Sequence, residues 1–142
     1  MESKKSINHL VYSELPQVSR GNGIVNQPIA SKSVGAKSLH SGITLMPGNS
    51  AVPPHKHNAE EQVTVLEGTM RIILDGNRTV ICNKYDSTFI SAGVQHELIN
   101  DTDEDVLAMV IYGSANVNRT FSETGETVEI GSDQDKFPAS PA

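Results

Sequence analysis

Apolar residues in this chain recur at every second position over short stretches, and no stretch of a dozen residues shows a helical period. Leu39, Ile43 and Leu45 share one parity in the segment Leu39–Met46, which Pro47-Gly48-Asn49 closes as a turn. Gln62–Leu66 is β-rich and breaks at Glu67-Gly68. Thr69–Leu74 and Arg78–Cys82 flank Asp75-Gly76-Asn77, and Asp-Gly between two apolar runs is a hairpin signal. Ser87–Ile90 and His96–Ile99 are short strands around the Ala92-Gly93 turn, and the wholly apolar Val106–Tyr112 reads as a central strand. Val117–Phe121 and Val128–Ile130 read as late strands. Nearer the start, Leu10-Val11-Tyr12 reads as a short strand and Arg20-Gly21-Asn22-Gly23 as a turn. Ile24–Ile29 is extended, with Pro28 assigning it to an edge. The polar stretch Gly131–Ala142, with Pro138 and Pro141, reads as a loose tail.

Eight or more short strands at spacings of about 8–12 residues predict an all-β sandwich or barrel-like jelly roll. The length, 142 residues, suits one domain. It divides into an N-terminal arm with edge strands (1–30), a barrel (31–121), and a C-terminal strand with a loose tail (122–142). An open jelly roll leaves strand edges to be covered. The arm is longer than a small barrel needs, so it is expected to pair with a neighbouring subunit's sheet in a two-fold homodimer.

Composition narrows the function classes. Seventeen acids against 11 bases give a net charge of −6, which argues against nucleic acid as a partner. No run of about 18 apolar residues is present, so no membrane-spanning helix is expected. Met1–Ser6 lacks the apolar core of a secretory signal. Cys82 is alone and reads as a small apolar strand residue. These features favour a cytoplasmic protein. The acidic run Asp101–Asp105 lacks the glycine and terminal glutamate of a calcium loop and reads as solvated.

The chemistry concentrates in Pro53-Pro54-His55-Lys56-His57-Asn58-Ala59-Glu60-Glu61. Residues i and i+2 of a strand point to one face, so His55 and His57 can aim at one point. Glu61 has the same parity, and a strand that continues or curves slightly can deliver its carboxylate there. Glu60 has the wrong parity, and Gln62 is a third choice. Two nitrogens and one oxygen converging outline a site for a divalent first-row metal, with His96 as the candidate fourth ligand. The ligand imidazoles must be neutral, so metal affinity should fall below about pH 6. Further candidates are His40, Arg71 and Tyr112. His40 lies on an alternating strand and faces either inward or outward. Arg71 can hold a substrate carboxylate bidentately or lie on the outer face of its hairpin. Tyr112 and Tyr85 can donate hydrogen bonds or pack.

Gly48, the His55-Lys56-His57 pair, Glu61 after three intervening residues and Gly68 after six more resemble the first sequence motif of the cupins. One departure is the Gly48–His55 interval, six residues against the family's usual five, which an extra loop residue before the strand would absorb. Tyr85–Asn100 resembles the second motif, with Gly93, His96 and Asn100 at the family spacing. There Tyr85 stands for the usual leading glycine and Ser91 for the usual proline. Arg119-Thr120-Phe121 with Thr124-Gly125-Glu126 is similar to the C-terminal part of a single-domain cupin subgroup, without an assigned role. The resemblance implies a double-stranded β-helix with one metal (Fe, Mn, Ni, Cu or Zn) in its mouth, and commonly a dimer. It further implies a metal-dependent enzyme, oxygenase-type, acting on a small oxygen-rich molecule. The alternatives are an isomerase, lyase or decarboxylase, or a small-molecule sensor without turnover.

Overall fold

The computed structural model describes residues 7–137. The six N-terminal residues and the tail beyond 137, on which parts of the sequence reading fall, lie outside that range. The strands are β1 (Val18–Gly21), β2 (Ile24–Pro28), β3 (His40–Met46), β4 (Ser50–His57), β5 (Glu61–Glu67) and β6 (Met70–Leu74). They continue as β7 (Arg78–Cys82), β8 (Ser87–Ile90), β9 (His96–Asn100), β10 (Val106–Tyr112), β11 (Asn118–Phe121) and β12 (Thr127–Glu129). Two six-stranded sheets result, ordered β1-β2-β3-β10-β5-β8 and β12-β11-β4-β9-β6-β7. All strand pairs are antiparallel, and the architecture is the double-stranded β-helix. Among the described residues no helix is long and apolar enough to cross a membrane.

The two sheets press their inward parities together. Val63 and Val65 of β5, Met70 and Ile72 of β6, Leu98 of β9, and Val106 and Ala108 of β10 form one buried cluster. Burying each of these side chains other than Ala108 stabilises the fold by about 1.5–3 kcal/mol. Strand β10 is central, between β3 and β5, which explains its continuous apolar run.

On β3 the inward face is His40, Gly42, Thr44 and Met46, opposite Tyr112, Val110, Ala108 and Val106. Leu39, Ile43 and Leu45 therefore face outward, where Val25 of β2 and Leu107 of β10 flank Leu45. Apolarity alone did not identify the core face of this strand, because its inward positions serve a polar cavity.

Three further expectations change. Leu10-Val11-Tyr12 is not a strand: Tyr12–Glu14 forms a single 3₁₀ turn, and Gln27 holds it by donating to the Tyr12 and Leu15 carbonyls. The arm is built into the barrel's own sheet, where β2 pairs with β3 and β1 is the outer strand. Pro28 is tolerated on this inner strand because β1 pairs only as far as Asn26. The tail is not loose through residue 137. Asp135 and Phe137 are buried, and the Phe137 amide donates to the Arg20 carbonyl.

Two motif residues prove architectural. Asn100 is fully buried and donates to the Met46 and Glu104 carbonyls while accepting from Thr102. A side chain at Gly48 would meet the Asp103 carbonyl oxygen at 2.7 Å, so glycine lets the acidic loop's backbone close on the β3–β4 turn. The carboxylates of that loop are exposed, as expected.

Candidate metal centre

Two neighbouring strands of one sheet and a third strand from the facing sheet converge on one buried point. Strand β4 brings His55 and His57, and β9 brings His96 directly opposite His55. Glu61 arrives differently from its sequence parity. The chain turns at Asn58–Glu60 and crosses to the other sheet, so Glu61 is the first inward residue of β5.

The histidine strand is irregular. Val52 pairs with Leu98 and His55 with His96, so β4 carries one residue more than β9 between these pairs. The bulge lies inside the strand, at Pro53-Pro54. Proline cannot supply a ladder N–H, which makes a β-bulge the natural place for this pair.

Each histidine ring is tied by its Nδ1 to a backbone carbonyl. His55 bonds Pro53 O at 2.7 Å, His57 bonds Asn118 O at 2.9 Å and His96 bonds Val94 O at 2.9 Å. A carbonyl only accepts, so each Nδ1 carries a proton, and in the neutral ring the lone pair is on Nε2. One ring nitrogen from each histidine lies within 4.8 Å of the others. Glu61 Oε1 stands 2.9 Å from His96 Nε2 and 3.3 Å from His57 Nε2. None of these three atoms has a hydrogen-bond partner, although all are buried. The distances are those of ion pairs, but the angles are not those of hydrogen bonds.

Buried polar atoms that face one another without hydrogen bonds are costly unless a cation lies between them. Three imidazoles with fixed second nitrogens and one carboxylate are a donor set whose chemistry fits a first-row divalent ion. Around such an ion, ligand atoms stand about 3–4 Å apart, which Glu61 Oε1 matches toward His57 and His96. In the metal-free chain the charges adjust locally. Burial opposes ionisation of Glu61, yet His57 and His96 outweigh it and hold its carboxyl well below the usual range. Burial lowers the pKa of His96, but the Glu61 carboxylate more than restores it. Burial, reinforced by Arg119, keeps His55 neutral well below the ordinary histidine range.

Beside the centre lies a narrow cavity of about 40 Å³, room for little more than a water or two. Its wall includes His55, Glu61, His40, Tyr112, Arg20 and Arg119. The Tyr112 ring packs edge-on against His57, centroids 4.8 Å apart, and against His40 at 5.8 Å. Burial and then the Glu61 charge raise the Tyr112 pKa well above its ordinary value, so the phenol stays protonated. Arg71 is elsewhere. It lies on the outer face of β6 and donates to Asp101 at 3.0 Å, which removes it from the candidate list.

Sequence reasoning missed Arg20, Arg119 and Asp135. Arg119 shares its parity with Val117 and Phe121, both buried, so an arginine on the apolar face of a strand was the available signal. Asp135 carried none.

A sequence profile of the family described as Cupin domain matches residues 42–112, half of the chain. The protein is a cupin. No curated protein matches it. Solved cupin structures do resemble it. The polyketide cyclase RemF from Streptomyces resistomycificus superposes with a TM-score of 0.71 at 17% identity, covering 92% of this chain and 89% of that one. An RmlC-like cupin from Shewanella frigidimarina gives 0.68 at 16% identity over 78% and 93% of the two chains. A predicted oxalate decarboxylase from Thermotoga maritima gives 0.65 at 20% identity over 75% and 99%. At these identities the likeness is one of fold.

Proposed function

We propose that this cupin binds one divalent first-row transition ion through His55, His57, His96 and Glu61, and acts as a metal-dependent enzyme on a small oxygen-rich molecule. The observation that carries the reading is the Nδ1-to-carbonyl bond made by all three histidines. It leaves their Nε2 atoms for a metal, with those of His57 and His96 close to the buried, partnerless Glu61 carboxylate oxygen.

Two reaction classes use such a centre: dioxygen activation, which the sequence reading favoured, and Lewis-acid chemistry. A bound divalent ion would polarise a carbonyl or carboxylate oxygen of the substrate. The cavity wall supports the Lewis-acid class, because it offers groups that manage protons. The buried Tyr112 phenol holds a proton close to His57. His40, with its pKa lowered by burial and by Arg20, is neutral and can accept one. Neighbours whose names print an activity include a cyclase and a predicted oxalate decarboxylase, neither named as an oxygenase.

The test is elemental analysis of untagged wild type and His57→Ala, followed by substrate consumption under nitrogen and in air with small keto acids, enols and catechols. Near one equivalent of metal in the wild type, lost in His57→Ala, with turnover that persists under nitrogen, is expected. Dioxygen uptake coupled to substrate loss would return the assignment to an oxygenase. Small molecules that bind but are recovered unchanged would make this a sensor. Wild type that holds no metal and cannot be loaded overturns the reading.

A further inference from the structure

The cavity wall beyond the histidines is charged, although it is buried. Arg20, Arg119 and Asp135 are 5%, 7% and 1% exposed. Arg119 Nη1 donates to Asp135 Oδ1. The second oxygen of Asp135 accepts from the Gly131 amide at 3.2 Å and lies 4.0 Å from Arg20 Nε. One reading of this cluster is a clasp that fastens the C-terminal segment to the barrel. That accounts for Asp135 and for one nitrogen of Arg119, but it leaves one observation over. Arg119 Nε is buried and has no hydrogen-bond partner, and such a group costs stability unless something binds it.

The guanidinium is also held in place. The Phe137 ring lies over Arg119, 4.7 Å from its central carbon. Arg119 pairs with His57 across the β4–β11 ladder, and both side chains reach the barrel interior. Tyr112 lines the same cavity as Arg119, and its hydroxyl is a second donor there. A planar fork with an unpartnered Nε–H, held in place, matches a carboxylate better than any neutral group.

We propose that Arg119, assisted by Tyr112, recognises a carboxylate of the substrate, so that the molecule taken by this cupin is a small organic acid. The acid group sits on the free Nε edge of Arg119, while its other oxygen functions face the histidine site. This rests on the metal-centre reading only for that second half. Arg119 is a specificity residue, and Asp135 sets how far its charge is already satisfied. The narrowness of the cavity limits the acid to a few heavy atoms.

The experiment is calorimetric titration of the full-length, Mn²⁺-treated protein with glycolate and with its neutral amide, glycolamide, comparing wild type and Arg119→Gln. Metal content is measured on the same samples by elemental analysis. Wild type should prefer glycolate, and Arg119→Gln should weaken glycolate roughly 10–100-fold at unchanged metal content, leaving the amide unaffected. If Arg119→Gln strands Asp135 and unfolds the protein, the Arg119→Gln/Asp135→Asn pair removes both charges and is read in the same way. Equal glycolate binding by a folded Arg119 variant and wild type overturns the proposal, as does wild type that does not distinguish glycolate from its amide. If the wild type takes up no metal, the metal-centre reading fails. The titration of that metal-free protein still decides the role of Arg119, because loss of glycolate binding in the variant upholds it and equal binding removes it.

Discussion

His55 faces His96 directly across the β4–β9 ladder, while three residues away Val52 faces Leu98, two residues from His96. The extra residue at Pro53-Pro54 therefore keeps a core valine and a site histidine on one side of a single strand. It also turns the Pro53 carbonyl beneath His55 Nδ1. Deleting Pro54 should regularise the ladder and remove that acceptor. The expected result is a metal affinity lower by about 10–100-fold, the usual effect of losing an outer hydrogen bond to a ligand histidine. Equilibrium dialysis measures it, with far-ultraviolet circular dichroism confirming that the strands persist.

Glu61 serves the site with and without a cation. In the metal-free chain it faces His57 and His96, which hold its carboxyl well below the usual range, and in the proposed metal site it would complete the donor set. Glu61→Gln removes the negative charge and should lose at least about tenfold in metal affinity. Its metal-free melting temperature should fall as well, because a buried ion pair loses one partner. A metal-free variant that melts as wild type does would show that Glu61 acts through the metal alone.

His40 gives the protein an acid sensitivity of known sign. Burial, and after it the charge of Arg20, lower its pKa in the folded chain. The unfolded chain takes up a proton at about pH 6.5, before the folded one does. The stability linked to His40 is thus fully present above that pH and is lost as pH falls through its lower folded pKa. Urea unfolding at pH 7.5 and 5.5 should show a smaller loss for His40→Gln than for wild type. Equal losses would mean that His40 titrates alike in both states.

Tyr85 occupies left-handed backbone, φ 73°, and is 70% exposed. Such a conformation strains a side-chain-bearing residue by about 1–2 kcal/mol and costs glycine nothing sterically. Its amide is spent on the Val65 carbonyl at 2.6 Å, so the backbone cannot relax away. Tyr85→Gly should therefore raise stability by up to about 1 kcal/mol after the glycine's extra chain entropy is subtracted. A chemical denaturation midpoint below that of wild type would show that the contact of the ring with Lys84 outweighs the strain.

The sequence was informative wherever a physical signal was local. Asp75-Gly76 marked its hairpin, β10 its central position, and the His-x-His spacing with His96 the cluster of three imidazoles. It was silent where burial is decided by distant segments. Arg20, Arg119 and Asp135 come from a first hairpin, a late strand and a terminal loop, and nothing local says that three charges will share one interior. Composition misled at Gly131–Phe137, where a polar stretch is anchored by one aromatic ring and one buried carboxylate. On β3 the alternation was read correctly, but its inward face was the polar one.

The closure of residues 135–137 on the first hairpin also has a consequence for biosynthesis. Lys136 donates to the Ser19 carbonyl, 117 residues away, and Phe137 closes on Arg20 beside it. Translation makes the first hairpin before the three histidines, and the carboxylate and the ring that hold its arginine after them. A nascent chain can therefore assemble its histidines before the opposite wall exists. The interior stays open to water and to stray metal until translation has passed residue 137, and a product terminated before residue 135 would keep its histidines but lose the closing segment.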